Sequence, residues 1–219
     1  MPANGIRETD LKTLLRSFRR VFPHTSVWYM NPLATDFLIV IGTSHELQID
    51  MEELTRRMSR PGVREDLAAV GLTDPCRLVY SFLATGGNLA SYIGPGALNT
   101  DDRPILSYST YGATFESTIA SNLVGLLSCR EDIAMYTRRC VSEQTMLRHY
   151  VASNEMLLGH ISYLSGQEPA ALEHYLKGSR LLPDDPAFAE VVRGSLYRLT
   201  KGSVLPLRAA GAEAPPAGN

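Results

Sequence analysis

The chain has 219 residues, 44% of them apolar and 20% charged, with a formal net charge of −2. That length is ample for a buried core in one or two domains, and the composition is that of an ordinary globular protein. The near-neutral balance excludes the basic excess of a nucleic-acid binder, so the clusters Arg16, Arg19, Arg20 and Arg56, Arg57, Arg60 read as solvated helix surface.

Thr9 is a candidate cap for a helix carrying Leu11, Leu14, Leu15, Phe18 and Phe22 in one stripe, which Pro23 stops. Ser26 to Tyr29 and Asp36 to Gly42, joined across Asn31-Pro32, read as an antiparallel hairpin. Its second half contains Phe37-Leu38-Ile39-Val40-Ile41. An unbroken apolar run predicts an inner strand buried on both faces. Such a hairpin is not stable alone. Ile105 to Tyr108 is the only further strand the pattern offers, so the sheet is expected to be incomplete.

Asp50 and Glu53 form a capping-box-like start for a helix through Met58, and Pro61-Gly62 breaks it. Val63, Leu67 and Val70 mark a second short helix closed by Gly71. Asp74 as cap and Pro75 at the first helical position start a third, with Leu78, Val79, Phe82 and Leu83, ended by Gly86-Gly87. Asn88 to Ile93 reads as another short helix, and Gly94-Pro95-Gly96 as a loop.

Beyond Tyr108 the pattern is helical near 115–128, 130–147, 151–165, 168–181 and 186–200, and from Val204 onward a tail rich in Pro, Ala and Gly is expected to be disordered. Leu158-Gly159, Ala171, Tyr175, Gly178 and Pro183 fall at spacings that resemble the tetratricopeptide helix-turn-helix unit of about 34 residues, counted from Ala152. Glu155 stands at the tryptophan place and Ser162 at the tyrosine place, so the pattern is partial. A single such unit cannot bury its own faces and has to lean on neighbouring helices.

Motifs for chemistry are sparse. Gly42-Thr43-Ser44 lacks the second glycine of a nucleophile elbow. Gly86-Gly87 and Gly94-Pro95-Gly96 lack the strand-before, helix-after context of a phosphate cradle. Cys76, Cys129 and Cys140 are odd in number without CxxC spacing, and the five histidines, His160 and His174 included, show no metal-binding spacing. Neither zinc site nor disulfide framework is indicated, and a reducing compartment follows. With no charged-then-apolar leader and no run long enough to span a bilayer, a cytoplasmic chain without a membrane segment is expected.

Asn99-Thr100-Asp101-Asp102-Arg103-Pro104 is the remaining polar candidate. One reading is a well-made turn: Asn99 and Thr100 favour turns, Arg103 neutralises a carboxylate and Pro104 opens the next element. The other has Asp101 and Asp102 facing a cleft that attracts a cationic amine.

The order helix, "VFPHTSVWY", "DFLIVIGTS", "IDMEELTRRMSRPGVREDLAAVGLTDP" and "NTDDRPILSY" resembles the C-terminal end of spermidine-synthase-like proteins. The likeness is to the bacterial type in which a transporter-like segment precedes a polyamine aminopropyltransferase-like domain, and it covers roughly residues 10 to 112. The resemblance implies an α+β remnant of a class I methyltransferase-like α/β fold, namely its last helix and closing β-hairpin, followed by an all-α tetratricopeptide-like region. The divisions are 1–112, 113–202 and a tail at 203–219. It further implies that the Gly-rich loop and catalytic acid for decarboxylated S-adenosylmethionine lie in sequence outside this chain. No catalytic, cofactor or metal residue is assigned here, and Asp101 and Asp102 are the tentative substrate-binding pair. The implied partners are a cofactor-bearing half, or a second copy, covering the hairpin, and a protein bound by the helical region. The alternative, from a different class, is a non-catalytic interaction module built on the helices.

Overall fold

The computed structural model describes residues 1–30, 37–109, 117–139 and 142–201. The Asn31-Pro32 connection and the tail from 203 lie outside the described residues.

Helix α1 (Glu8–Val21) has Glu8 and Asp10 in its first turn and Arg19 and Arg20 in its last, the arrangement the helix dipole favours. Arg7 rather than Thr9 occupies its N-cap, and Leu11 and Leu15 are fully buried. Strands β1 (His24–Trp28), β2 (Ile39–Thr43) and β3 (Ile49–Asp50) follow, then α2 (Met51–Met58), α3 (Val63–Ala69) and α4 (Pro75–Val79). Asp50 accepts from the Glu53 amide at 3.1 Å, and Asp74 from the Cys76 amide at 2.8 Å with Pro75 in the first turn, so both caps stand where the sequence puts them. Next come β4 (Phe82–Ala84), α5 (Gly86–Ile93), α6 (Ile105–Ser109), α7 (Ile119–Leu127), a 3-10 turn at Ile133–Tyr136 and β5 (Thr137–Arg138). Three longer helices, α8 (Glu143–Leu164), α9 (Glu168–Leu181) and α10 (Pro186–Lys201), complete a mixed α+β chain.

The main sheet is antiparallel in the order β2-β1-β4, and β3 pairs with β5 in a second, parallel pair. Three expectations are corrected here. The apolar run at 37–41 is not an inner strand buried on both faces. It supplies an edge strand, with Leu38 1% exposed on one side and Ile39 and Ile41 45% and 41% exposed on the other. The third strand is Phe82–Ala84, which the helical pattern had absorbed into the helix starting at Pro75. All three of its residues are buried, so contact on both faces overrode a helical period only two turns long. Ile105 to Tyr108 is helical, because Pro104 suits a first turn and Asn99 Oδ1 accepts the otherwise orphaned Leu106 N–H at 3.0 Å.

Successive strand residues point to opposite faces. Val27 and Leu83 enter a core with Leu11, Leu15, Leu89, Ile119 and Leu123, while Trp28 and Phe82 enter another with Met51, Val79, Ile133 and Met146. Helix α7 thus belongs to the sheet's core, and Leu157 of α8 joins it. Two polar anchors hold this body. Asn122, fully buried, donates to the carbonyls of Ala3 and Ile6 at 2.8 Å each. Arg16 reaches the carbonyls of Ile93, Gly94, Pro95 and Ala97, so this arginine is a loop clamp rather than free surface.

In the second half, the helices expected near 130–147 and 151–165 are corrected to a 3-10 turn, a short strand and the single 22-residue α8, capped by Ser142. Gly159 faces the Tyr175 ring and Gly178 the Phe188 ring so closely that a Cβ at either glycine would collide. A third core of Ala152, Ala171, Tyr175, Phe188 and Val191 results. Arg198 forks onto Glu168 with two bonds of 2.9 Å, tying α10 to α9.

Candidate functional site

Asn99 to Pro104 form a tight turn in which Thr100 and Arg103 exchange backbone hydrogen bonds of 3.2 and 3.1 Å. The Asn99 amide donates to Ser17 Oγ at 2.8 Å, fastening the turn to α1. Asp101 and Asp102 are exposed at its tip and do not line the cavity beside Tyr29 and Leu83 or the groove beside Trp28 and Ile39. His160 and His174, on opposite helices, do not come together. His174 Nδ1 lies 2.7 Å from Glu155 Oε2, while His160 packs toward Tyr29 of the sheet body.

The chemistry-bearing side chains gather instead at the seam where the helices meet the sheet. The turn after α7 is pinned to β4 by the Glu131 N–H, which donates to Leu83 O at 2.9 Å. This drives the preceding Arg130 inward. Its guanidinium donates to Asn154 Oδ1 (2.7 Å), Ser153 Oγ (2.7 Å) and Tyr80 O (3.0 Å), with the Tyr150 ring 5.6 Å away. Every one of these acceptors is neutral. Among the described residues no carboxylate forms an ion pair with Arg130, and its buried Nε has no acceptor. Burial pulls Arg130 down to about 10, against the opposing influence of Tyr150, Asp132 and Tyr80, so it stays a cation at neutral pH.

Beside it is a cavity of about 80 Å³. Tyr29, Leu83, Met156, Leu157 and Phe188 supply apolar wall, and Arg77, Arg130, His149, Ser153 and Asp185 a polar end. Arg77 is already matched by Asp185 at 3.3 Å. His149 stacks on Tyr80 with ring centroids 6.0 Å apart. Burial lowers its pKa, Asp74 and Asp185 oppose that, and Arg148 adds to it. It is therefore held toward the neutral form.

Asp74, Cys76 and His149 also bring a carboxylate oxygen, a thiol sulfur and an imidazole nitrogen within 4.8 Å of one another, the one such trio among the described residues. Those donors suit zinc. Asp74 already caps α4 with one oxygen, leaving Oδ2 toward His149 Nε2 at 3.6 Å. Neither this trio nor Arg130 carried a sequence signal, since His149 lies far along the chain from Asp74 and Cys76 and a turn arginine reads as surface.

No family model, curated protein or solved structure matches this chain. No helix among the described residues is long and apolar enough to cross a membrane.

Proposed function

We propose that the chain is the C-terminal portion of a spermidine-synthase-like, S-adenosyl-compound-dependent transferase, with the parent family's aminopropyl transfer to polyamines as its chemistry. The cofactor-binding half comes from other sequence, and this portion alone is inactive. The observation that carries this reading is the open side of β2. From Ile39 onward no described strand pairs with its outer edge, and Ile39 and Ile41 line an apolar groove with Trp28, Met30, Leu54 and Leu78. An exposed apolar edge is a template for a further strand, and the order α1-β1-β2 suits the last helix and closing hairpin of a methyltransferase-like sheet.

In the assembled transferase Asp101 and Asp102 border the amine entrance, where adjacent carboxylates raise the local concentration of a polycation. The helices α8 to α10 form a tetratricopeptide-like region, a reading supported by the seating of Gly159 on Tyr175 and Gly178 on Phe188.

Peptide sequencing of the native polypeptide, purified from its source cells with any tightly bound chain, tests the proposal. The expected result is a segment bearing a strand and Gly-rich loop, joined or bound to this chain, with no affinity of the isolated chain for decarboxylated S-adenosylmethionine in calorimetry. Its absence, or tight binding by the isolated chain, overturns the reading. Asp101→Asn with Asp102→Asn should then weaken spermidine binding by the assembled protein.

A second reading is favoured by the outer face of α10, where Leu196 and Tyr197 are 47% and 63% exposed. An end helix that exposes Leu196, Tyr197 and Leu199 among its polar residues suits a non-catalytic module that docks another protein.

A further inference from the structure

Asp74 does more than a helix cap requires. Its Oδ1 accepts the Cys76 N–H at 2.8 Å, which completes the cap and fixes the carboxylate. Its Oδ2 faces His149 Nε2 at 3.6 Å, too long for a hydrogen bond. That spacing is close to the roughly 3.3 Å that two ligands of one tetrahedral zinc keep at bond lengths of about 2.0–2.1 Å. Cys76 completes a trio whose donor atoms all lie within 4.8 Å of one another. Three atoms so placed share a centre no more than about 2.8 Å from each, so shifts of roughly 0.5–0.8 Å reach zinc–ligand lengths. The fold holds the trio in place. Met146 and His149 are buried one turn apart on α8, so the face that packs Met146 against Cys76 and Val79 also lays His149 over α4. The His149 ring lies nearly parallel to that of Tyr80, which restricts its rotation. The Asp74 side chain, 45% exposed, borders two clefts, one shared with Cys76 and the other with His149. An ion can therefore reach the trio from solvent.

We propose that Asp74, Cys76 and His149 bind one zinc ion, with the fourth position left to water. As the sulfur–zinc bond forms, Cys76 gives up its thiol proton to solvent. Thiolate, carboxylate and neutral imidazole together carry two negative charges, so the loaded site is neutral beside the apolar core of Trp28, Met51 and Val79. Magnesium and calcium fit less well, since both prefer an all-oxygen shell and two of these donors are sulfur and nitrogen. Three protein donors with one open position is the arrangement of a zinc site that can take a further ligand, not of a closed four-ligand site. Asp74 and Cys76 belong to the start of α4 and His149 to α8, so the ion also ties the long helix to the sheet body. Zinc binding and the transferase reading are independent, and either can fail without the other.

The test is zinc titration of the reduced full chain, first stripped with a chelator, against a chromophoric competitor, with thermal melting alongside. One zinc per chain is expected at a Kd of about 1 μM or tighter. The melting temperature should rise by roughly 5–10 °C at a hundredfold excess over Kd. An excess of magnesium or calcium should not displace the zinc. X-ray absorption at the zinc edge should show one sulfur at about 2.3 Å among lighter atoms. Cobalt(II) in place of zinc should give thiolate charge-transfer absorption in the near ultraviolet. Cys76→Ser should remove that absorption and weaken zinc at least about a hundredfold. Asp74→Asn keeps Oδ1 as the cap of α4 and replaces only the ligand oxygen by an amide nitrogen, so circular dichroism should stay native while zinc weakens at least about tenfold. It carries the test if the cysteine variant does not fold. No stoichiometric zinc, zinc bound without sulfur, displacement by magnesium or calcium, or undiminished binding by Asp74→Asn or Cys76→Ser overturns the proposal.

Discussion

Around the sheet, segments far apart in sequence are tied by polar groups: buried Asn122 to Ala3 and Ile6, half-buried Arg16 to the loop at Ile93–Ala97, and buried Thr85 Oγ1 to Thr25 O at 2.7 Å. In α8 to α10 each helix meets its sequence neighbour through a small residue and a ring, Gly159 with Tyr175 and Gly178 with Phe188. The first region depends on contacts that exist only once the whole body has closed. The second depends on contacts between consecutive elements, which form with little loop-closure entropy. Between them α8 enters both sheet cores, Leu157 with Leu83 and Met146 with Trp28 and Phe82, and Arg130, His160 and the Arg77–Asp185 ion pair add polar ties. Two differently built regions should respond separately to a perturbation placed in the helical core of Tyr175 and Phe188, away from this seam.

The largest expected effect comes from emptying the helical core. Tyr175→Ala removes its central ring and should cost about 3–5 kcal/mol. The single tryptophan, Trp28, reports on the sheet body. With this variant the helical signal at 222 nm should fall at lower urea than Trp28 fluorescence changes. Coincident transitions would break the comparison and make the molecule one cooperative unit.

Acid should loosen the seam next. Burial pulls His160 down to about 4, whereas the unfolded chain takes up the same proton near the ordinary histidine value of 6.5. Between those values the unfolded state binds more protons. Stability attributable to His160 should therefore fall as pH drops from about 6.5 to about 4, by about 3 kcal/mol in total. His149, lowered by burial as well, adds to the loss. Urea titrations at stepped pH should show a flatter profile for His160→Gln than for the unaltered protein.

The smallest effect belongs to the open edge. Ile41→Thr on the exposed side of β2 should change stability by no more than about 0.5 kcal/mol in the isolated chain. It should nevertheless reduce self-association in sedimentation velocity, since the apolar groove beside that edge loses a wall residue. A large loss of stability would mean that this face is covered within the chain.

How much was legible depended on how local the signal was. The caps Asp50 and Asp74, the stripe of α1, and the pairing of Gly159 with Tyr175 were readable, because each rests on residues within a turn or one helical hairpin. Phe82–Ala84 was misread because its two neighbours, β1 and the seam, lie far away in sequence. The candidate site was almost wholly hidden. The Asp101-Asp102 turn drew attention through its composition, whereas the seam assembled Arg77, Arg130, His149 and Asp185 from four separate segments.

The sequence by itself determined the starts of α2 and α4 at Asp50 and Asp74, the apolar stripe of α1, and that the run near Ile39 is made for a sheet, since propensity and periodicity act over a few residues. Only the tertiary structure decided that this run lies at an edge, that Phe82–Ala84 is a strand, and that Arg130 sits half-buried on neutral acceptors. Those outcomes depend on which distant surfaces exclude water from one another, and no local pattern encodes that.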